Sequence, residues 1–448
     1  MRDYRDFGAD LVRKAALRGA DGADAYVVQR RTCRVRVRMG EVESLEEAGT
    51  EGVGLRVFRN GATALVHTTD LSPNSLDRLL DDALQLASVT DADPCNRLPE
   101  RVNGPGVSRS LGIFDPAVCG IATERKVEML SEMEEVGRAF DPRINNSNGA
   151  WWEDAVERVT LANSVGFVGQ FDHSRVGMGV SLVAEQDGVK QTDTWSSAAR
   201  SLAAVEPPAD IGRKAAERVI RKLGARPVST QTVPVVFDPV VAEDLLGILV
   251  GTLNGMAIFR RNSFLVGKLG QRIGNRHINI VDDGIRAGGL GTRPFDGEGV
   301  PTRRTEVIRE GVLRSYLCDT YTAGKLHLPC TGNASRTYDV APGVGPTNFY
   351  LEPGAVDPGE IIRSVDRGLL VTRLYWVGTN LASGDYSRGA EGIWIEHGSL
   401  THPVQEVTIA GNVLDMLQRI EVVGSDLEFR GTVASPTLLL SNLVLSGH

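Results

Sequence analysis

The chain is short of cysteine, histidine, positive charge and long apolar runs, and each shortage closes off a class of protein. Its five cysteines, Cys33, Cys95, Cys119, Cys318 and Cys330, are odd in number and widely scattered over 448 residues, which is not the spacing of a disulfide framework. No segment reaches the roughly 18 uninterrupted apolar residues of a membrane span. The opening stretch MRDYRDFGADLVRKAAL mixes charge with apolar residues and offers neither an apolar h-region nor a small-residue cleavage site. A cytoplasmic protein with no membrane partner is the expectation. Lys and Arg number 49 against 57 Asp and Glu, a net charge of −8, so the global field repels phosphate backbones and nucleic acid is not an expected partner. The local exception is Arg30, Arg31, Arg34, Arg36 and Arg38, where the alternation R-V-R-V-R puts the last three on one strand face. Without interleaved aromatics or a DNA-binding motif, that stripe reads as a solvated or partner-facing surface.

Familiar catalytic signatures are missing too. There is no G-x-S-x-G elbow, no G-x-G-x-x-G between a strand and a helix and no P-loop; Gly288-Gly289-Leu290-Gly291 reads as a turn. The seven histidines are His67, His173, His277, His327, His397, His402 and His448. Cys318, His327 and Cys330 form the tightest Cys/His cluster but lack the paired close ligands of a structural zinc site. His397 and His402 flank a turn in IEHGSLTHPV and could face each other across a hairpin, with no third ligand nearby. Asp282, Asp283, Asp296 and Glu298 could take a hard cation, although EF-hand spacing is absent and solvated loop carboxylates are the plainer reading. No metal or other cofactor is expected in this chain.

What is present is material for two domains. A chain of 448 residues exceeds the size at which single cores stop growing. Helical spacing over residues 4–19 is followed by β-branched runs from Ala23 to Thr69, broken at Met39-Gly40 and at Asn60-Gly61, a type I′ hairpin signal. A helix over 71–88 closes this first set. The order then repeats, with a helix over 122–140, strands from about 145 to 195 and a helix over 210–223, which suggests a duplicated unit. Residues 90–121, with DADPCNRLPE and VNGPGVSRS, read as the linker between the copies. After a boundary near 227, one helix from Pro239 to Gly251 precedes Gly-rich short strands that suggest a closed or sandwiched antiparallel sheet. The expected fold is α+β: an N-terminal α/β domain over 1–226 with antiparallel strands and flanking helices, and a C-terminal β-rich, barrel or sandwich-like domain over 227–448.

From about Val233 onward the chain resembles the TldD/PmbA family, also called the modulator of DNA gyrase family. The likeness is carried by IVDDG (280–284), GGLGTRPFDGEGVPTRRT (288–305), GVLRSYLCDTYTAGKLHL (311–328), TGNASR (331–336), PGVGPTNFYLEPG (342–354), SGDYSRGAEGIWIEHGSLTHPVQEVTIAGNVLDML (383–417) and VASPTLLLSNLVLSG (433–447). In that family the catalytic, TldD-type subunits carry His-Glu-x-x-x-His on the first helix of the C-terminal domain, and a cysteine near the C-terminus is a third ligand. Two imidazoles presented from one helical face can meet a single metal while the glutamate serves as general base. Here Ala242 and Gly247 stand at the histidine positions, Glu243 at the glutamate, and RGTVASPTLLL has no cysteine.

The resemblance therefore implies a PmbA (TldE) type chain, catalytically silent, with the zinc-type metal in a TldD-type partner. The pair would act in proteolysis of small or unfolded peptides and in peptide maturation. Arg303, Arg304, Asn333 and Asn348, polar residues among Gly and Pro turns, are candidate peptide-binding residues; fixing loop geometry is their other reading. Glu243 without its histidines is expected to be an exposed helix carboxylate. The alternatives are a peptide-binding or scaffold homodimer without catalysis, self-association of isolated chains through the partner surface, and an enzyme with an unrecognised site.

Overall fold

Two helix–strands–helix units build the N-terminal half of the structure, a computed structural model that describes residues 1–100, 111–375 and 378–447. The first unit runs α1 (Arg5–Leu17), β1 (Gly22–Arg38), β2 (Glu41–Arg59), β3 (Ala62–Thr68) and α2 (Pro73–Val89). The second runs α3 (Thr123–Ala139), β4 (Asn146–Asn163), β5 (Val168–Gln186), β6 (Val189–Ala199) and α4 (Pro208–Ile220). All six strands share one antiparallel sheet in the order β3-β2-β1-β4-β5-β6. The first strands of the two units lie side by side, from Asp24 opposite Asn163 to Val37 opposite Ala150. Both turns of the first unit place two residues at positive φ, Met39 and Gly40 at 52° and 81°, Asn60 and Gly61 at 52° and 78°, as a type I′ hairpin requires. The segment expected as a linker contains a 3-10 turn at Pro116–Gly120, seated by the Asp115 carboxylate accepting from Ala117 N; VNGPGVSRS lies outside the described residues.

Alternation along β1 decides what covers the sheet. Ala23, Ala25 and Val27 pack with α1 and α2, and Cys33, Val35 and Val37 pack with α3 and α4, so all four helices lie on one face. Helices α3 and α4 cross closely because both contact residues are glycines: a Cβ on Gly212 would stand 2.2 Å from the Met133 carbonyl oxygen, and one on Gly137 3.0 Å from that of Gly212. On the opposite face Asp24, Tyr26 and Val28 are buried, the last two in a cluster with Phe295, whereas Arg30, Arg34, Arg36 and Arg38 are exposed. Glutamates of neighbouring strands answer this stripe, with Arg34 3.1 Å from Glu153 and Arg36 2.8 Å from Glu43. Such exposed pairs are each worth about 0–1 kcal/mol. One stretch is unusual: Glu41–Glu51 of β2 is exposed at every position, and β3 pairs only from Val53 onward, so beside Glu41–Gly52 no third strand is paired among the described residues.

The C-terminal half closes on itself. Strand β7 (Gln231–Phe237) leads into α5 (Pro239–Leu253), and the chain later supplies β8 (Arg367–Tyr375), β9 (Asp385–Glu396), β10 (Ser399–Asn412) and β11 (Leu438–Ser446). These five strands run in the order β10-β9-β8-β7-β11, and β10 returns to β11 from Thr408–Ser446 to Ala410–Val444. The result is a closed barrel, one of the two forms expected, in which β8 and β7 form the parallel pair. His397 and Gly398, at φ 50° and 72°, make the tight turn between β9 and β10. Its core joins Val235, Phe237, Leu369, Val371, Trp394, Ile409 and Leu445 to the inner face of α5. Between α5 and β8 lies a loop-rich region with short strands at Ile280–Asp283, Arg304–Arg309 and Phe349–Leu351.

Buried charge joins the halves. The Asp24 carboxylate on β1 accepts from Arg56 of β2 at 2.8 and 2.5 Å through one oxygen and from Arg336 of the C-terminal half at 2.7 Å through the other. Arg56 also donates to Glu298 at 3.0 Å, and Glu298 accepts the Thr320 backbone N–H at 2.9 Å. Next to this network the Tyr338 carbonyl lies against β2, where a Cβ on Gly54 would stand 1.9 Å from it. Farther along the seam Arg200 donates to the carbonyls of Gly289, Leu290 and Thr292 at 2.6–3.3 Å.

Burial alone would raise the Asp24 carboxyl, but Arg336 and Arg56 outweigh it and hold the group below its ordinary range. Asp24→Ala leaves two buried guanidinium groups short of a partner, and the expected cost is about 3–5 kcal/mol, read as a lower urea midpoint. Because the folded value is depressed, the wild-type contribution is complete above the ordinary carboxylate range and is lost as pH falls through the folded value; the gap to the variant should close on acidification.

Candidate functional site

Helix α5 begins where Asp238 caps it, its carboxylate accepting from Val240 N at 3.0 Å, with Pro239 in the first turn. Ala242 is fully buried in the barrel core, while Gly247 is exposed with nothing within 4 Å of where a Cβ would stand. Five residues at about 100° each leave the two roughly 140° apart around the helix. One points into the core and the other to solvent. Neither residue carries a donor atom, so the residues at these positions do not fit a metal.

Glu243, between them, also departs from expectation. It is half-buried, not exposed, because α5 runs along the seam under the edge of the N-terminal sheet. A cavity of about 670 Å³ opens there, lined from both halves by Trp195 of β6, Arg218 of α4, Glu243 and Asp244 of α5, Arg373 of β8, and Arg430. The Arg430 guanidinium sits over the Trp195 ring at 3.4 Å, and Arg218 approaches the same ring at 5.3 Å. Burial pushes the Glu243 carboxyl up to about 7, with Arg430 opposing the rise only in part. Asp244 is also raised by burial and accepts from Arg388 at 3.0 Å. A carboxyl poised near neutrality can hold or take a proton, yet among the described residues no histidine or cysteine lines the cavity. Among the described residues no group of three or more His, Cys, Asp or Glu is arranged to hold a metal ion.

Comparison with known proteins agrees with this architecture along the whole chain. Residues 23–87, 119–223 and 230–447 match, in turn, domain 1, the central domain and the C-terminal domain of the PmbA/TldA metallopeptidases. The metalloprotease PmbA of Escherichia coli O157:H7 is 31% identical over 96% of this chain and 93% of its own length. The chain belongs to the PmbA/TldD metallopeptidase family. A protein of Bacteroides thetaiotaomicron described as a modulator of DNA gyrase has the same fold, with a TM-score of 0.92, 25% identity and complete coverage of both chains. TldE from Thermococcus kodakarensis superposes with a TM-score of 0.89 at 23% identity, covering 98% of this chain and 99% of its own.

The other residues singled out from the sequence of this PmbA/TldD chain lie elsewhere. Burial pushes the Cys318 thiol up to about 11 and that of Cys330 to about 12, so both stay protonated, and His327 is an exposed left-handed cap of the helix Thr320–Leu326. His397 contacts Asp366 at 2.8 Å and His402 contacts Thr401 at 3.1 Å, so each has a neighbour of its own. The acidic set is not solvated: Asp282, Asp283, Asp296 and Glu298 are all buried, and their carboxylates tie backbone amides, Asp282 accepting from Thr347 N, Asp283 from Ile285 N and Glu298 from Thr320 N. Asp296 accepts from the N–H groups of Glu298, Val300 and Ala334, and burial, with Glu298 nearby, raises it to about 7.

Asn333 and Asn348 are buried, and their amides donate to Asp282 and Gly345, and to Asp283 O and Thr292 respectively. Arg303 is exposed and holds the carbonyls of Cys330 and Thr331; Arg304 pairs with Glu352 at 2.5 Å. The glycines at 289 and 291 allow close packing, since a Cβ at either would strike Asn348 or Thr347. Sequence reasoning missed Trp195, Arg218 and Arg430, which come from three distant segments with no local signature.

Glu243 gives a test with a definite sign. Its raised folded value means that wild type loses stability as pH climbs from about 4.5 to about 7, since the charged form is disfavoured in the fold. Glu243→Gln removes that penalty: the variant should match wild type near pH 4.5 and exceed it by about 1–3 kcal/mol above pH 7, measured by urea denaturation across the range.

Proposed function

We propose that this chain is the non-catalytic, TldE-type subunit of a two-chain metallopeptidase, working with a TldD-type subunit that carries a zinc-type metal. The observation that carries the reading is α5, where Ala242 is packed into the core and Gly247 is bare while Glu243 is kept at the rim of the seam cavity. The fold shared with a protein named TldE supports it. The work of the pair would be cleavage of small or unfolded peptides, including peptide maturation, in the cytoplasm.

This chain's contribution would be a wall and an edge. The unpaired backbone of β2 beside Glu41–Glu51 can hold an extended peptide by strand pairing, which tolerates many sequences. The alternative, a peptide-binding homodimer without catalysis, would draw on the same edge. Glu41, Glu43, Glu46, Glu47 and Glu51 make antiparallel pairing of two such edges unfavourable, because like charges would face each other.

The experiment is reconstitution. The purified chain alone should show no peptidase activity; mixed with a TldD-type subunit of the same organism it should co-elute and cleave unfolded peptides, and a chelator should abolish cleavage. Peptidase activity in the isolated chain that survives purification to homogeneity would contradict the proposal.

A further inference from the structure

A second pocket, of about 370 Å³, opens on the helix-bearing face of the six-stranded sheet, and two cysteines line it. Cross-strand register sets out its floor: Cys33 of β1 stands opposite Asp154 of β4 on one side and Glu47 of β2 on the other, so the three side chains share one face. From above, Lys126 of α3 places its Nζ 2.6 Å from Asp154 Oδ2 and lines the same pocket as Cys33. Trp152 Nε1 holds the same carboxylate oxygen at 2.7 Å. The wall opposite comes from the turn Pro116–Gly120, which brings exposed Cys119 to the pocket. That turn buries Val118 against the sheet, and the Asp115 N–H donates to Ser174 Oγ at 2.8 Å. Burial raises the Cys119 thiol as it does those of Cys318 and Cys330, but of these three only Cys119 is exposed.

We propose that Cys33 and Cys119 form a dithiol modification site that an oxidant of the hydroperoxide class converts to an intramolecular disulfide. The Cys119 sulfur, open to solvent, attacks the O–O bond of hydrogen peroxide; an S–O bond forms, the O–O bond breaks and one water leaves. The Cys33 sulfur then attacks the Cys119 sulfur, forming S–S and breaking S–O, and the departing hydroxide takes the Cys33 proton to become a second water. Two thiols thereby lose two electrons to one peroxide. Lys126 stands beside Cys33, where that proton is released. The bond ties the Pro116–Gly120 turn to β1 at the level of Glu47, next to the unpaired stretch of β2, and so couples oxidation to that edge.

The test treats the full chain with hydrogen peroxide, alkylates it after unfolding and maps the peptides by mass spectrometry. A Cys33–Cys119 linked peptide, two hydrogens lighter than its parts and separated by dithiothreitol, is the expected product. It should be absent from Cys119→Ser, in which Cys33 stays fully alkylatable, and from Cys33→Ala, in which Cys119 proceeds to sulfinic acid or joins a second chain. Conversion of wild-type Cys119 to sulfinic acid with Cys33 left free, or a link between any other pair, overturns the proposal.

Discussion

One buried carboxylate, Asp24, sets the relation of the two halves. It takes Arg56 of its own sheet on one oxygen and Arg336 of the C-terminal loops on the other, while Arg56 continues to Glu298. Desolvating four charges is expensive, and the arrangement holds because each finds a close partner of opposite sign. A buried pair of this kind is poor at adding stability and good at selecting one docking geometry, since a slip of either half would strand a charge. The seam cavity, which draws walls from β6, α4, α5 and β8, exists only in that geometry.

Glu243 shows what the family architecture retains in this chain. Its carboxyl is raised by burial toward neutrality in a cavity with Trp195 and Arg430, where it can hold or take a proton. Ala242 has become core material, adding its methyl to the packing of α5 on the barrel. The helix thus serves the fold at a position where the resemblance places metal ligands in TldD-type chains.

Much of the fold is legible in local patterns. Asn60-Gly61 and Gly40 mark hairpins because Gly, and after it Asn, accept positive φ cheaply, and the leucine spacing of residues 71–88 gives a helix found at Pro73–Val89. The repeated order of elements shows in the same patterns. Barrel closure is not legible, because the contact of Ile409 with Leu445 is a matter of register between strands that no local rule fixes. The site was less readable than the fold. Asp296 and Glu298 sit in a Gly-rich loop and look solvated until the N-terminal sheet covers them. Glu243 looks like an exposed helix carboxylate for the same reason: its burial comes from residues of distant segments.

The measurement closest to the central claim is the metal content of the assembled pair, purified after reconstitution with zinc and removal of loose metal. The account predicts one tightly held ion per two chains, and none retained by this chain when the pair is separated. Two ions per pair, or one ion that follows this chain, would contradict it.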